Sequence, residues 1–578
     1  MSQSENRYYE FGQFRMDLRS RVLLRSAEIV PLTPKAFDTL LVLVARRGEL
    51  VERHELIKAV WPDSHVVEGN LNSNIFTLRK ALGAGECSGE RYIATVPRRG
   101  YRFAADVQEV SEDKLARNGA TIKSLAVLPF KLFGDETGEA WLGLGLANAL
   151  ITRLSSLPRL IVRPTSAVSK YTGLEQDPQT IGRELNAELI LEGAIQCAGD
   201  RIRVTVQLVS VASGAPLWAE KFDERLTDIF AVEDEISERV AQSLTLRLMD
   251  EDRKRLTSRG PENTEAHQLY LRGNYYWNQR TAEGLKRAIA CFNQAVTLDP
   301  RLAPAHVGLA DSYALLGCVH GELPPREAMP RAKAAALKAL ELDEQLAGAH
   351  TALALVRSLY DWDWAGAERA YLRALEINPT HATARHWYGL CLAWTGRPEE
   401  ALIELRCAQQ LDPFSPIISA NVAWALYAAR RYDEAIAECR KTIEMAPNFY
   451  RAHVYLGWAY EQTGDFESAI RELRIAMELH GGGPEVTGVG HAYARAERID
   501  DAHRVIAELR RRAARSYISP YAFALIYAGM NQPDNALAWL ERAYEDRTHW
   551  LVFLQVEPRF DSLREDARFI DLLRRVHS

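Results

Sequence analysis

No run of 18 or more apolar residues occurs in the 578-residue chain, and residues 1–10 are polar, without the apolar core of a secretory signal. A spanning helix needs about 20 such residues, so no membrane partner is expected, and a cytoplasmic location is. Cysteine is scarce: seven residues, at positions 87, 197, 291, 318, 391, 407 and 439, with no CxxC pair and no histidine spacing suited to zinc. They read as reduced thiols, mostly buried, with Cys87 in a loop as the exposed exception. A glycine-rich phosphate loop, a nucleophile elbow and a metal-binding aspartate set are also missing. No catalytic residue, metal or cofactor is therefore assigned, and an enzyme is not expected. Nor does one sign of charge dominate, since 71 Lys and Arg stand against 77 Asp and Glu.

What is present is an ordinary globular composition, 47% hydrophobic and 26% charged, in a chain too long for one core. The charge is unevenly placed. Residues 1–104 hold 16 basic against 12 acidic side chains, and the other 474 residues hold 55 against 65. A weakly basic head on an acidic body suits a protein that meets a polyanion at one end.

Within that head, Leu71, Ile75, Leu78 and Leu82 recur at i, i+4, i+7 and i+11 and define one apolar helix stripe. Asn70, Ser73, Thr77 and Lys80 project opposite the stripe, with Asn72, Asn74 and Arg79 on its flanks. Amide side chains at such positions can pair bidentately with adenine in the major groove. Two helices precede it: Thr33 caps the first, with Pro34 at its first position and Gly48 at its end, and Arg53 to Val60 gives a second stopped by Pro62. After it, RYIATVP and GYRFAADV alternate around Arg98, Arg99 and Gly100, a tight basic hairpin.

With the strand-like stretch before them, these segments resemble the winged-helix DNA-binding domain of the OmpR and PhoB class over about residues 8–104. The resemblance rests on LTPKAFDTLLVLVARRGELV, the helix ending LRKAL and the terminal GYRF. It implies that Asn74, Phe76, Thr77 and Arg79 face the groove and that Arg98, Arg99 and Arg102 lie in or beside the wing. Response regulators usually show an arginine and a glycine early in the wing, where this chain has Pro97 and two arginines. Phe76, on the exposed side, is placed to touch a thymine methyl or a neighbouring protomer. The candidate DNA-contacting set is Asn70, Asn72, Ser73, Asn74, Thr77, Arg79, Lys80, Arg98, Arg99, Tyr101 and Arg102. Membrane-anchored activators of the CadC and ToxR kind carry a similar head before a transmembrane helix; here residues 107–122 form a polar linker instead.

Residues 123–250 alternate strands and helices and read as an α/β domain, with a hairpin turning at Gly199 and Asp200. LAVLPF, IGRELNAELILEGAI, RIRVTVQLV and LWAEKFD resemble the domain named after the TolB amino-terminal region, which implies a fold and a companion role without a known reaction.

From Thr264 onward the chain repeats. Leu411, Met445 and Leu479 lie 34 residues apart, as do Pro379 and Pro413, and Ala367, Ala401, Ala435 and Ala469 follow the same grid. This is the tetratricopeptide period. Residues 264–547 read as an all-α solenoid of about eight units and residues 548–578, rich in aromatics, as a cap on the array. Trp387, Trp394, Trp424 and Trp458 are expected to pack mostly between units, while Arg385, Arg451 and Arg495 are candidates to meet an acidic ligand.

The sequence thus predicts a winged-helix head over 1–106, an α/β domain and a tetratricopeptide arm. The expected function is transcriptional regulation, with double-stranded DNA at the head and a protein, a peptide or a second copy of the chain at the arm's groove. The alternative is a repeat scaffold whose head does not read DNA specifically.

Overall fold

The computed structural model describes residues 7–12, 14–17, 21–25, 28–30, 32–61, 68–82, 92–96, 99–111, 123–133, 140–155, 157, 160–173, 177–198, 201–225, 229–243, 263–318, 323–479, 486–515 and 517–577. Cys87, Pro97 and Arg98 lie outside the described residues. Two compact units are formed, Met1–Ser124 with Leu157–Ile161, and Leu125–Ser156 with Val162–Ser578.

The first unit opens with strands β1 (Arg7–Phe11), β2 (Phe14–Asp17), β3 (Val22–Arg25) and β4 (Glu28–Val30). Helix α1 (Pro34–Ala45) follows, capped by Thr33, whose hydroxyl accepts from the Ala36 amide at 3.3 Å. Strand β5 (Val51–Glu52) leads into α2 (Arg53–Val60), and then come α3 (Glu68–Ala81), β6 (Ile93–Val96), β7 (Gly100–Phe103) and β8 (Gln108–Ser111). Strands β5, β7 and β6 form one antiparallel sheet in that order, and β4, β3, β2, β1 and β8 the other. The last strand corrects the sequence reading of 107–122 as linker. The free edge of β1 is paired by Gln108–Ser111, register Tyr8↔Val110, so the head runs to Ser111.

The second unit contains an α/β domain whose strands Leu189–Ala198, Arg201–Ser210 and Pro216–Arg225 are neighbours in that order. Its long hairpin pairs Leu189↔Ser210 through Ala198↔Arg201. The domain is fastened to the repeats by a buried pair, Glu233 against His267 at 3.0 Å. Arg163 also donates to the Gln410 carbonyl at 3.1 Å, and Lys170 lies 3.4 Å from the centre of the Phe414 ring.

Eight helical hairpins follow among the described residues: Thr264–Asn278 with Ala282–Leu298, Ala303–Cys318 with Pro325–Leu342, Ala347–Val356 with Trp364–Ile377, Ala382–Trp394 with Pro398–Leu411, Pro416–Ala428 with Tyr432–Met445, Tyr450–Gln462 with Phe466–Leu479, Val486–Arg495 with Ile499–Ala513, and Pro520–Gly529 with Pro533–Glu545. First helices of successive hairpins pack side by side. The small residues of the grid explain how the two helices of a hairpin close. Ala367, Ala401, Ala435 and Ala469 are fully buried. A Cβ on Gly457 would stand 2.6 Å from Leu473 Cγ, and one on Gly389 2.8 Å from Leu405 Cγ. Arg385 turns inward to Glu404 at 2.8 Å and is not free for a ligand.

Residues 548–577 do more than end the array. They turn back over the face formed by the first helices of the fourth, fifth and sixth hairpins. The Phe553 ring meets Trp394 edge-on at 5.9 Å and Trp424 at 5.1 Å. Arg559 lies 4.0 Å from the centre of the Trp458 ring, and the Tyr427 hydroxyl donates to Glu557 at 2.6 Å. Glu557 and Arg559 form a buried bidentate pair, both contacts 2.8 Å, with side chains 2% and 1% exposed. Burial works to raise the Glu557 carboxyl, yet Arg559 and the Tyr427 hydroxyl hold it below the usual carboxylate range. The segment's last helix reaches the third hairpin, where Trp364 donates to the Val576 carbonyl at 2.8 Å. The same helix pairs with the last hairpin, Arg568 donating to Asp534 at 2.9 Å, so these residues both adjoin the end of the array and cover this face.

Two carboxyls in this unit are strained electrostatically. Burial pushes Asp311 up to about 7 and Asp412 up to about 6, against the field of Arg280 on both. A carboxyl whose folded pKa is raised contributes its full stability below the ordinary value near 4 and loses it as pH rises through about 7. Asp311→Asn is therefore expected to raise the unfolding free energy by about 2 kcal/mol at pH 8, discounted because the side chain is only half-buried, and by nothing at pH 4. Thermal melts at the two pH values check this.

Candidate nucleic-acid interface

Helix α3 is held by its apolar stripe. Leu71, Ile75, Leu78 and Leu82 are at most 3% exposed and share a core with Phe37, Leu40 and Leu43 of α1 and Leu56 of α2. That seating fixes which side chains face out. Asn72, Ser73, Phe76 and Lys80 are exposed, Thr77 is half-buried, and Phe76 at 71% is the most exposed large apolar residue among those described. Ser73, Phe76, Thr77 and Lys80 make no hydrogen bond or ion pair within the chain among the described residues.

The flanking residues are differently occupied. Asn74 donates to the Thr39 hydroxyl of α1 at 3.2 Å. Arg79 donates twice to the Ile93 carbonyl, at 2.9 and 3.2 Å, and once to the Thr95 hydroxyl at 2.7 Å, tying the end of α3 to β6. Tyr101 is 4% exposed and its hydroxyl donates to Asn72 at 2.9 Å. Arg79 and Tyr101 thus tie α3 to the wing, while Asn74 ties it to α1. Arg99 and Arg102 are exposed beside them, while the Asn70 side chain lies outside the described residues, as Arg98 does.

The wing itself depends on a close approach. The Arg53 amide donates to the Arg99 carbonyl at 3.3 Å, and a Cβ on Gly100 would fall 2.1 Å from the Val51 carbonyl oxygen. Because that atom is backbone, β5 would have to leave β7 to make room. Gly100→Ala is expected to destabilise the head by about 3 kcal/mol, read as a lowered melting transition. Sequence reasoning passed over Arg47, which shares one surface depression with Arg102; its signal was the Arg-Arg-Gly that follows α1. No group of His, Cys, Asp and Glu suited to a metal ion occurs among the described residues. No helix among them is long and apolar enough to cross a membrane.

Three family models match. Residues 27–103 match "Transcriptional regulatory protein, C terminal", residues 121–239 "HilA/YgeH-like transcriptional regulator, second domain", and residues 359–416 and 423–484 "Tetratricopeptide repeat". The transcriptional regulator HilA of Salmonella typhimurium is 27% identical over 441 residues, 75% of each chain. The transcriptional activator CadC of Escherichia coli is 36% identical over 90 residues, 16% of this chain and 18% of that one. A putative adenylate cyclase of Rhizobium meliloti is 32% identical over 187 residues, about a third of either chain. Along the chain the matches give an OmpR/PhoB-type winged-helix domain, a HilA-like second domain and tetratricopeptide repeats, in an order similar to that of DNA-binding transcriptional regulators.

Proposed function

We propose that this regulator binds promoter DNA in the cytoplasm through α3 and the turn between β6 and β7, and that its repeat arm brings a protein partner, or a second copy of the chain, to that DNA. The reading rests on the outward face of α3, where Ser73, Phe76, Thr77 and Lys80 stand without partners on a helix whose opposite stripe is fully buried. In this proposal Asn70, Asn72, Ser73, Thr77 and Lys80 meet the groove. Arg98, Arg99 and Arg102 meet phosphates, Arg79 and Tyr101 act by holding helix and wing in register, and Asn74 acts by holding α3 against α1. The working division is a head over 1–106 extended by β8, an α/β coupling domain over 123–250, and an arm over 264–547 with its appended segment. No reaction is assigned to any of them; the cyclase relative shares only about a third of its length with this chain.

Titration of duplex DNA into the intact protein at several salt concentrations tests the proposal. Binding is expected to weaken linearly in log–log form, each neutralised phosphate adding roughly −0.9 to the slope. Arg99→Ala and Arg102→Ala should each flatten that slope by about one such step while leaving sequence preference intact. Salt-independent binding, or none at low salt, supports the scaffold reading instead.

A further inference from the structure

The face that residues 549–563 cross is built from aromatic side chains of three successive first helices: Trp394, Trp424 with Tyr427, and Trp458, all buried. Phe553 sits between the first two rings, and Arg559 covers the last. Glu557 takes the Tyr427 proton donor, and Asp561 pairs with Arg430 at 2.7 and 2.8 Å at the rim. The occupant runs as two short 3-10 turns, His549–Phe553 and Pro558–Leu563, joined by a few residues, which is peptide-like rather than another repeat helix.

The fit is incomplete in one respect. The indole N–H groups of Trp394, Trp424 and Trp458 are buried and have no acceptor among the described residues. A buried donor left unpaired is costly, and native interiors leave few of them. These three donors lie along one face and make no hydrogen bond to the segment that crosses it.

We propose that this face is a peptide-docking groove which the chain fills with its own residues 549–563, and that the partner it takes is an extended protein segment presenting an aromatic side chain four residues before Glu-Pro-Arg. Such a segment replaces Phe553, Glu557 and Arg559 in kind and offers backbone carbonyls to the indoles. Because the chain's own segment is tethered, its effective concentration at the groove is high, and a partner competes only when it supplies more contacts than the segment does. The proposal rests on the reading of the arm as the partner-binding part.

The test uses the intact protein and a fluorescent synthetic peptide of residues 548–563. Wild type is expected to bind the peptide weakly. Phe553→Ala with Asp561→Arg, which loosens the tethered segment and leaves the groove unaltered, should bind it at least tenfold more tightly. Adding Trp424→Ala should abolish that gain. Equal binding by wild type and the loosened variant, or no binding by a variant that keeps its helical circular dichroism, overturns the proposal. Hydrogen exchange on the unaltered protein supplies a second reading. Amides of 549–563 should exchange by an opening of their own, faster than those of Pro416–Ala428. Exchange of both at one common rate shows the segment to be permanent core and also overturns the proposal. Duplex binding measured on the same samples separates failure here from failure of the DNA-binding reading.

Discussion

The triple variant Ser73→Ala, Phe76→Ala and Thr77→Ala is expected to bind all duplexes nearly alike while keeping the wild-type melting temperature. The three side chains project from α3 without internal partners, so their removal leaves the head's core and both sheets untouched. Each base contact of this kind is worth about 1–3 kcal/mol of discrimination, and together they should account for about 3–6 kcal/mol between a preferred site and random sequence. Competition binding against unrelated duplexes measures the loss. Phe76 is the part most open to dissection. An apolar ring in the groove recognises the thymine methyl, so substitution of deoxyuridine for thymidine should matter to the wild type and not to Phe76→Ala. If the triple variant keeps its preference, the recognition surface lies elsewhere on the head.

In the arm, Arg559→Ala is expected to cost about 3–5 kcal/mol, because it leaves the Glu557 carboxylate buried without its counter-ion. Glu557→Gln together with Arg559→Met should recover most of that, since removing both charges avoids the orphan. Glu557 is held below the ordinary carboxylate range, so the pair's contribution is full above that range and is lost as pH falls through the folded value. Denaturant unfolding of the intact protein near pH 7 and near pH 3 checks both statements. The wild-type advantage over the double variant should shrink at the acid end.

Local signals carried much of this structure. Leu71, Ile75, Leu78 and Leu82 gave the buried face of α3 by spacing alone, and Thr33 with Pro34 gave the start of α1. The 34-residue grid placed fully buried alanines at the contact between the helices of a hairpin. What remained hidden depends on contacts distant in sequence. Asn74 looks like a groove-facing amide until Thr39, 35 residues earlier, is seen to accept from it. A polar helix position reads the same whether its partner is a base or a neighbouring helix. Gln108–Ser111 is too short and polar to announce itself as a strand, and it forms because the edge of β1 is open. The docking of Glu557 on Tyr427 spans 130 residues, and no periodicity encodes where a segment after a repeat array will settle. The unpaired indoles were likewise invisible, because tryptophans at helical spacing signal packing and not hydrogen bonding.

Selection of bound duplexes from a random-sequence library, using the intact protein at physiological salt, shows whether α3 reads DNA sequence. An enriched motif is expected, one that survives Arg99→Ala and Arg102→Ala with weaker overall recovery and disappears in the α3 triple variant. Uniform recovery of all sequences by the wild type would contradict it, as would an identical motif from the triple variant.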